Sequence, residues 1–340
     1  MNRAAFYRGS RTFEVAQVPL AAPSAGEIAI DVAFCGICGT DLHVFHGDMD
    51  ARVGDKRIIG HEMSGTIAAL GAGVEGFTKG DMVVVRPLDH CGECPACEAG
   101  HSHICHKLKF LGLDRDGGMQ TTWIVPAHTV HKMPKGISLK HAALIEPLAV
   151  ACHDVHRSRL RAGERAIVIG GGPIGVLIAL VAQKAGALVT LYEINPARRA
   201  KAVELGLEAI DPAVGDVAKT VQDKFGGADV VFEVSGSNAG AALMTTLAAT
   251  RARLVMVGIN SRKPPVDLFQ FFWRELELIG ARVYEPNDYD EATGLIAAKA
   301  FDFDRFITDV KDLSEIQRAF TELDQSPGAL KVLLKIGSQA

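Results

Sequence analysis

From Glu14 to about Val85 the pattern of apolar and polar residues is one of short strands, some alternating at every second position. Glu27-Ile-Ala-Ile-Asp-Val-Ala-Phe has the period of a half-buried strand, and Gly65 to Gly71 and Asp81 to Val85 are further short strands separated by Gly, Pro and Asp. No helix-length amphipathic run precedes Ser138. There a capping-type serine introduces a helix predicted over Leu139 to His156, with a break set by Glu146-Pro147. Beyond Gly163 the pattern alternates between continuous apolar strands and helices. Strands are predicted over 166–169, 188–192, 229–234 and 253–257, and helices over 174–185 and 196–205. That alternation predicts a parallel sheet with helices on both faces. Helical patterns around 289–299 and 313–323 and a strand over 329–336 close the chain, and Leu276 to Ile279 is an apolar strand at a sheet edge or inside it. The fold class read from this pattern is α/β, a mainly β part followed by a doubly wound parallel sheet.

Composition narrows the function classes. The 340 residues are 48% hydrophobic and 22% charged, which suits two domains with sizeable cores and argues against disorder. A net charge of −4 without a basic stripe gives no reason to expect a nucleic-acid or anionic-membrane partner. The first twenty residues lack the apolar core and cleavage site of a signal peptide, so a cytoplasmic location is expected. Ala166 to Ala182 is apolar, but four glycines and Pro173 interrupt it, and it reads as a buried strand and helix. Seven cysteines in such a chain point to metal ligands or reduced thiols.

Candidate chemistry lies in three places. Gly170-Gly-Gly-Pro-Ile-Gly175 carries G-x-G-x-x-G at Gly170, Gly172 and Gly175 between an apolar strand and a helix, with Pro173 and Ile174 at the helix start. Glu193 closes the next strand, at about the ~20-residue distance of a dinucleotide fingerprint. The helix end would face the pyrophosphate, and Glu193 would accept from ribose hydroxyls and repel a 2′-phosphate, which favours NAD over NADP. Arg198 and Arg199 either belong to a solvated helix face or, as with Arg198 over the adenine edge, assist cofactor binding.

Cys91, Cys94, Cys97 and Cys105 form C-x2-C-x2-C-x7-C, four thiolates that satisfy a tetrahedral structural zinc with no open position. An iron–sulfur cluster is the runner-up, disfavoured by the fourth spacing. His101, His103 and His106 read as exposed loop histidines. In CGICGTDLH and the Gly60-His61-Glu62 that follows, Cys38, His61 and Glu62 have the composition of an open, catalytic zinc site.

These motifs, with Ile59-Gly-His-Glu-Met-Ser-Gly65 and Glu146-Pro-Leu-Ala-Val150, stand in the order found in zinc-containing medium-chain dehydrogenases. Over nearly its whole length the chain resembles their sorbitol, 2,3-butanediol and threonine dehydrogenase branch. The resemblance implies a GroES-like β catalytic domain over 1–152 and 283–340, with its structural-zinc lobe near 89–107. A Rossmann NAD-binding domain over 153–282 would be inserted between the two segments. It implies two zinc ions per chain, with Cys38 and His61 as catalytic ligands and Glu62, Glu146 or both completing the set. Cys35 and Cys152 are expected only to pack. Asp41 matches the residue that orients the ligating imidazole, and Thr40 with His43 matches a proton relay. The implied reaction is oxidation of a secondary alcohol or polyol to a ketone, with zinc polarising the hydroxyl and NAD accepting hydride. A dimer or tetramer of identical chains is implied as well. Val283 stands where sorbitol dehydrogenases carry an arginine beside the tyrosine matched by Tyr284, which puts sorbitol itself in doubt. A threonine-type dehydrogenase and a non-catalytic nucleotide-binding relative are the competing readings.

Overall fold

A computed structural model describes residues 2–54, 56–260, 263–264, 266–326 and 328–337. The chain divides into two units, Met1–Glu146 with Glu285–Ala340, and Pro147–Tyr284. The expected boundary at residue 152 falls inside the helix Ile145–Ser158.

The first unit is mainly β. Its largest sheet has Glu27–Gly36 near the centre, antiparallel to Glu62–Leu70 on one side and to Lys331–Lys335 on the other. Thr122–Pro126 also pairs with Glu27–Gly36, and Ile307–Asp312 and Val130–Lys132 close the two ends. A strand from the end of the chain thus completes a sheet begun near its start. A second sheet orders Phe13–Val18, Asn2–Tyr7 and Arg57–Ile58. Asn2–Tyr7 lacks the polar alternation that marks a strand because nearly every one of its residues is buried.

The second unit carries a six-stranded, all-parallel sheet. In spatial order its strands are Glu208–Ile210, Leu188–Tyr192, Arg165–Ile169, Ala228–Glu233, Ala248–Met256 and Glu277–Gly280. This is the 3-2-1-4-5-6 order of a doubly wound nucleotide-binding sheet. The apolar strand near residue 277 lies at the sheet edge. Ile167, Val231, Met244, Leu247 and Leu254 meet in one core, each at most 1% exposed.

The helix predicted over Leu139 to His156 is two helices, Leu139–Ala142 and Ile145–Ser158. The break falls at Ala143-Leu144 and not at Glu146-Pro147. Pro147 occupies the first turn of the second helix, where its missing N–H has no carbonyl to serve. Ala166 to Ala182 is the strand Arg165–Ile169 followed by the helix Pro173–Lys184, and among the described residues no helix is long and apolar enough to cross a membrane.

Candidate active site and metal centres

The ends of three strands build the first site. The register sets Gly36 opposite Glu62 on one neighbour and opposite Leu333 on the other. Cys38, two residues past Gly36, therefore arrives beside the beginnings of both neighbouring strands. Cys38, His61 and Glu62 each present a donor atom, and no two of these are more than 4.8 Å apart. His61 and Glu62 are buried, and the Cys38 side chain is half-buried.

Glu62 has a partner that sequence reading missed. Lys331 Nζ, 1% exposed, donates to both Glu62 carboxylate oxygens at 2.7 and 2.6 Å and to the Ile37 carbonyl at 3.2 Å. Burial works against the ammonium, but Glu62, Cys38 and Glu146 together outweigh it and hold the Lys331 pKa above its ordinary value. A carboxylate has about four lone-pair directions, so Glu62 retains capacity for a cation on its other side.

Asp41 lies in the short helix Gly39–Phe45 that Cys38 caps. One of its oxygens accepts from the Cys38 backbone N–H at 2.9 Å, and the other lies 3.7 Å from His61 Nδ1. Neither that oxygen nor His61 Nδ1 has a hydrogen-bond partner, and both are buried. An imidazole that binds a metal through its other nitrogen presents an N–H that such a carboxylate accepts, so this facing pair fits a bound ion. Burial disfavours the charged imidazole, yet Asp41, Cys38 and Glu146 together raise the His61 pKa well above its usual value. Glu146, also buried, acts electrostatically on both His61 and Lys331 but lies outside the Cys38-His61-Glu62 donor group. Thr40 and His43 are three apart on the same helix and share a face. Thr40 is half-buried; His43 is exposed and meets Asp48 at 2.9 Å.

Cys35 is fully buried, and desolvation raises its pKa well above the usual thiol range, which keeps it neutral. Cys152 is likewise fully buried. Phe110 packs edge-on against the His61 ring at 5.1 Å between centroids.

The four-cysteine lobe hangs from the two-stranded ladder of Leu88–Asp89 and Lys109–Phe110. Its sulfurs are separated by 3.6 Å (Cys94 and Cys97), 3.8 Å (Cys94 and Cys105) and 3.5 Å (Cys91 and Cys105). Zn–S bonds of about 2.3 Å at tetrahedral angles require sulfurs about 3.8 Å apart, whereas a disulfide requires about 2.0 Å. Backbone N–H groups of Lys107 and Cys91 point at the Cys105 sulfur. Those of Cys97 and His106 hold the Cys94 thiol down to about 6. Burial and the neighbouring sulfurs push the Cys97 thiol up to about 12, and the spacing of the four sulfurs fits a closed structural ion.

In the second unit, Gly170 follows Arg165–Ile169 with φ +108°, a conformation that L side chains rarely adopt. A Cβ on Gly175 would lie 1.8 Å from the Gly170 carbonyl oxygen, so only glycine lets the helix Pro173–Lys184 start this close to the strand. Gly172 caps that helix and has open space where a Cβ would stand, while Pro173 and Ile174 form its first turn. Glu193 is 5% exposed and accepts from the N–H groups of Gly171 and Asn195, both at 2.7 Å. Arg198 Nη1 is 3.8 Å from a Glu193 oxygen. Arg199 is committed elsewhere, to the carbonyls of Glu193 and Ile194 and to Asp211. Buried Glu233, which the sequence pattern did not single out, accepts from the N–H groups of Ser235 and Gly236 and fixes the turn that packs on Gly170.

Comparison with known proteins agrees with both halves. Residues 24–135 match the alcohol dehydrogenase GroES-like domain, and residues 173–321 match the zinc-binding dehydrogenase domain. The chain belongs to the zinc-containing medium-chain alcohol and polyol dehydrogenases, with a GroES-like catalytic fold and a Rossmann fold. Within that family it is a zinc-type polyol or sugar-acid oxidoreductase that uses a nicotinamide cofactor. It is 53% identical to 2-dehydro-3-deoxy-L-galactonate 5-dehydrogenase of Pseudoalteromonas atlantica over 99% of each chain. It is 32% identical to a sorbitol dehydrogenase of Halalkalibacterium halodurans over 96% of each. A zinc-binding dehydrogenase of Sinorhizobium meliloti, solved bound to NADP, superposes with a TM-score of 0.91 at 31% identity, covering 98% of this chain and 99% of that one.

Proposed function

We propose that the protein oxidises a secondary hydroxyl of a deoxy sugar acid to a ketone with NAD. The C5 hydroxyl of a 2-dehydro-3-deoxy-aldonate is the favoured substrate position. The end-to-end 53% identity to the galactonate-type enzyme carries this reading.

Cys38, His61 and Glu62 hold the catalytic zinc in this proposal, supported by their converging donor atoms and by the Asp41 oxygen facing His61 Nδ1. Glu146 orients the substrate side of the site, and Thr40 and His43 pass the released proton along their shared helix face to solvent. The bound groups supply Lewis-acid polarisation of the hydroxyl and acceptance of hydride. Cys91, Cys94, Cys97 and Cys105 hold a second, structural zinc.

A preference for NAD over NADP is part of this proposal, supported by the buried Glu193 carboxylate, whose oxygens accept from two backbone N–H groups and whose negative charge would repel a 2′-phosphate. The proposed assembly is a homo-oligomer through the edge strand Glu277–Gly280 and the neighbouring helix Leu268–Arg274. That helix leaves Phe269, Phe272 and Trp273 exposed, which suits burial against a second copy. Seven cysteines, none of them in a disulfide and four of them a ligand set, fit a reducing cytoplasm.

A nicotinamide-absorbance screen tests the reading. It would pair NAD and NADP with 2-dehydro-3-deoxy-aldonates, aldonates, sugar alcohols, diols and threonine. Turnover fastest with a deoxy sugar acid and NAD is expected; a clear preference for threonine or a simple diol would overturn the substrate assignment.

A further inference from the structure

His101, His103 and Glu285 take no part in the activity above, yet they converge. His101 Nδ1 lies 3.5 Å and His103 Nδ1 3.7 Å from the same Glu285 oxygen. The three residues offer one donor atom each, no two more than 4.8 Å apart. Metal bonds of about 2.0–2.2 Å at tetrahedral angles place neighbouring donors about 3.3–3.6 Å apart, so the observed separations are nearly those of a coordinated ion. The two imidazoles meet edge-on, with centroids 6.0 Å apart and planes at 89°.

The backbone on both sides of the cluster is hydrogen-bonded. His101 and His103 flank Ser102 in a single tight turn lying between Cys97 and Cys105, and the His101 N–H donates to the Ala96 carbonyl at 2.8 Å. His103 is 7% exposed. Glu285 caps the helix Pro286–Ala297, and its N–H donates to Asp288 at 2.7 Å.

We propose that His101, His103 and Glu285 bind a divalent first-row transition ion of the Zn2+, Ni2+ or Cu2+ type. This site is separate from the thiol cage and from the Cys38-His61-Glu62 group, with water completing the coordination. Two imidazoles and one carboxylate select these ions over Mg2+ and Ca2+. The three residues belong to one unit, and the ion ties the cysteine lobe to the point where the chain re-enters that unit at Glu285. Binding to the folded chain alone raises its stability. The proposal is independent of the dehydrogenase reading.

The test uses the full-length, zinc-loaded protein without a tag. Wild type, His101→Ala and His103→Gln are equilibrated with NiCl2 by dialysis, and bound nickel and Tm are measured with and without the ion. The expected result is one more nickel on the wild type than on either variant, and a nickel-dependent rise in Tm confined to the wild type. Loss of an outer-sphere partner already weakens metal sites by about 10–100-fold, so loss of a direct ligand is expected to weaken nickel binding by at least about tenfold. His101 is exposed, so its replacement leaves the fold intact. Equal nickel content in wild type and His101→Ala overturns the proposal and leaves Glu285 as a helix cap flanked by two histidines.

Discussion

Lys331 and Glu62, 269 residues apart in sequence, form a fully buried ion pair in which one ammonium meets both oxygens of one carboxylate. Removing one partner of such a pair strands the other charge in the interior at a cost of about 3–5 kcal/mol. Lys331→Met is therefore expected to lower the free energy of unfolding by that amount. Adding Glu62→Gln is expected to return part of it, because the stranded charge disappears. Urea unfolding of the two single variants and the double variant measures this, and strictly additive losses would contradict the pairing.

The two glutamates near Cys38 and His61 are expected to separate on metal analysis. Glu62→Gln should lose the chelator-accessible zinc, whereas Glu146→Gln should retain it and lose turnover. Zinc content per chain and kcat, measured on the same preparations, decide the assignment. The reverse pattern would place Glu146 in the ligand set.

The thiol cage and the open site are expected to fail differently. Cys91→Ser should lower Tm and release a zinc that dilute chelator does not remove from the wild type, since a closed four-thiolate site contributes directly to folding. Cys38→Ser should fold with a near-normal Tm and lose NAD reduction. Calorimetry alongside zinc analysis tests both, and an active Cys38→Ser protein would remove Cys38 from the chemistry.

Cofactor choice is expected to follow Glu193. Hydrogen bonds to charged groups are worth about 1.5–3 kcal/mol and each tenfold about 1.4 kcal/mol. Glu193→Ala should thus reduce the ratio of kcat/KM for NAD over NADP by on the order of 10–100-fold. An unchanged ratio would show that cofactor choice is made elsewhere.

What could be read from sequence was what the chain keeps contiguous. The strand, glycine loop and helix from Arg165 to Lys184, and the four cysteines between two short strands, carry their geometry in local spacing. Lys331 was not legible because its partner is set by the register of Gly36 against two remote strands. Its one local signal is a lysine set among the buried residues Leu330, Val332, Leu333 and Leu334. Asn2–Tyr7 escaped for a related reason: a strand covered on both faces has no alternation to see. Pro147 misled because proline breaks a helix interior but not its first turn. His103, taken as an exposed loop histidine, is buried, since the tight turn at 102–104 folds it inward.

The sheet that carries Cys38, His61 and Glu62 is finished by a strand from the far end of the chain. On a ribosome adding roughly 5–20 residues per second, Lys331 emerges about 13–54 s after Glu62. At the end of that interval, between Tyr284 and Lys331, all of the Rossmann unit has been made while the first unit still lacks its neutralising lysine. A ribosome that stalls between Tyr284 and Lys331 would therefore hold a chain with all of its nucleotide-binding unit and without the partner of Glu62.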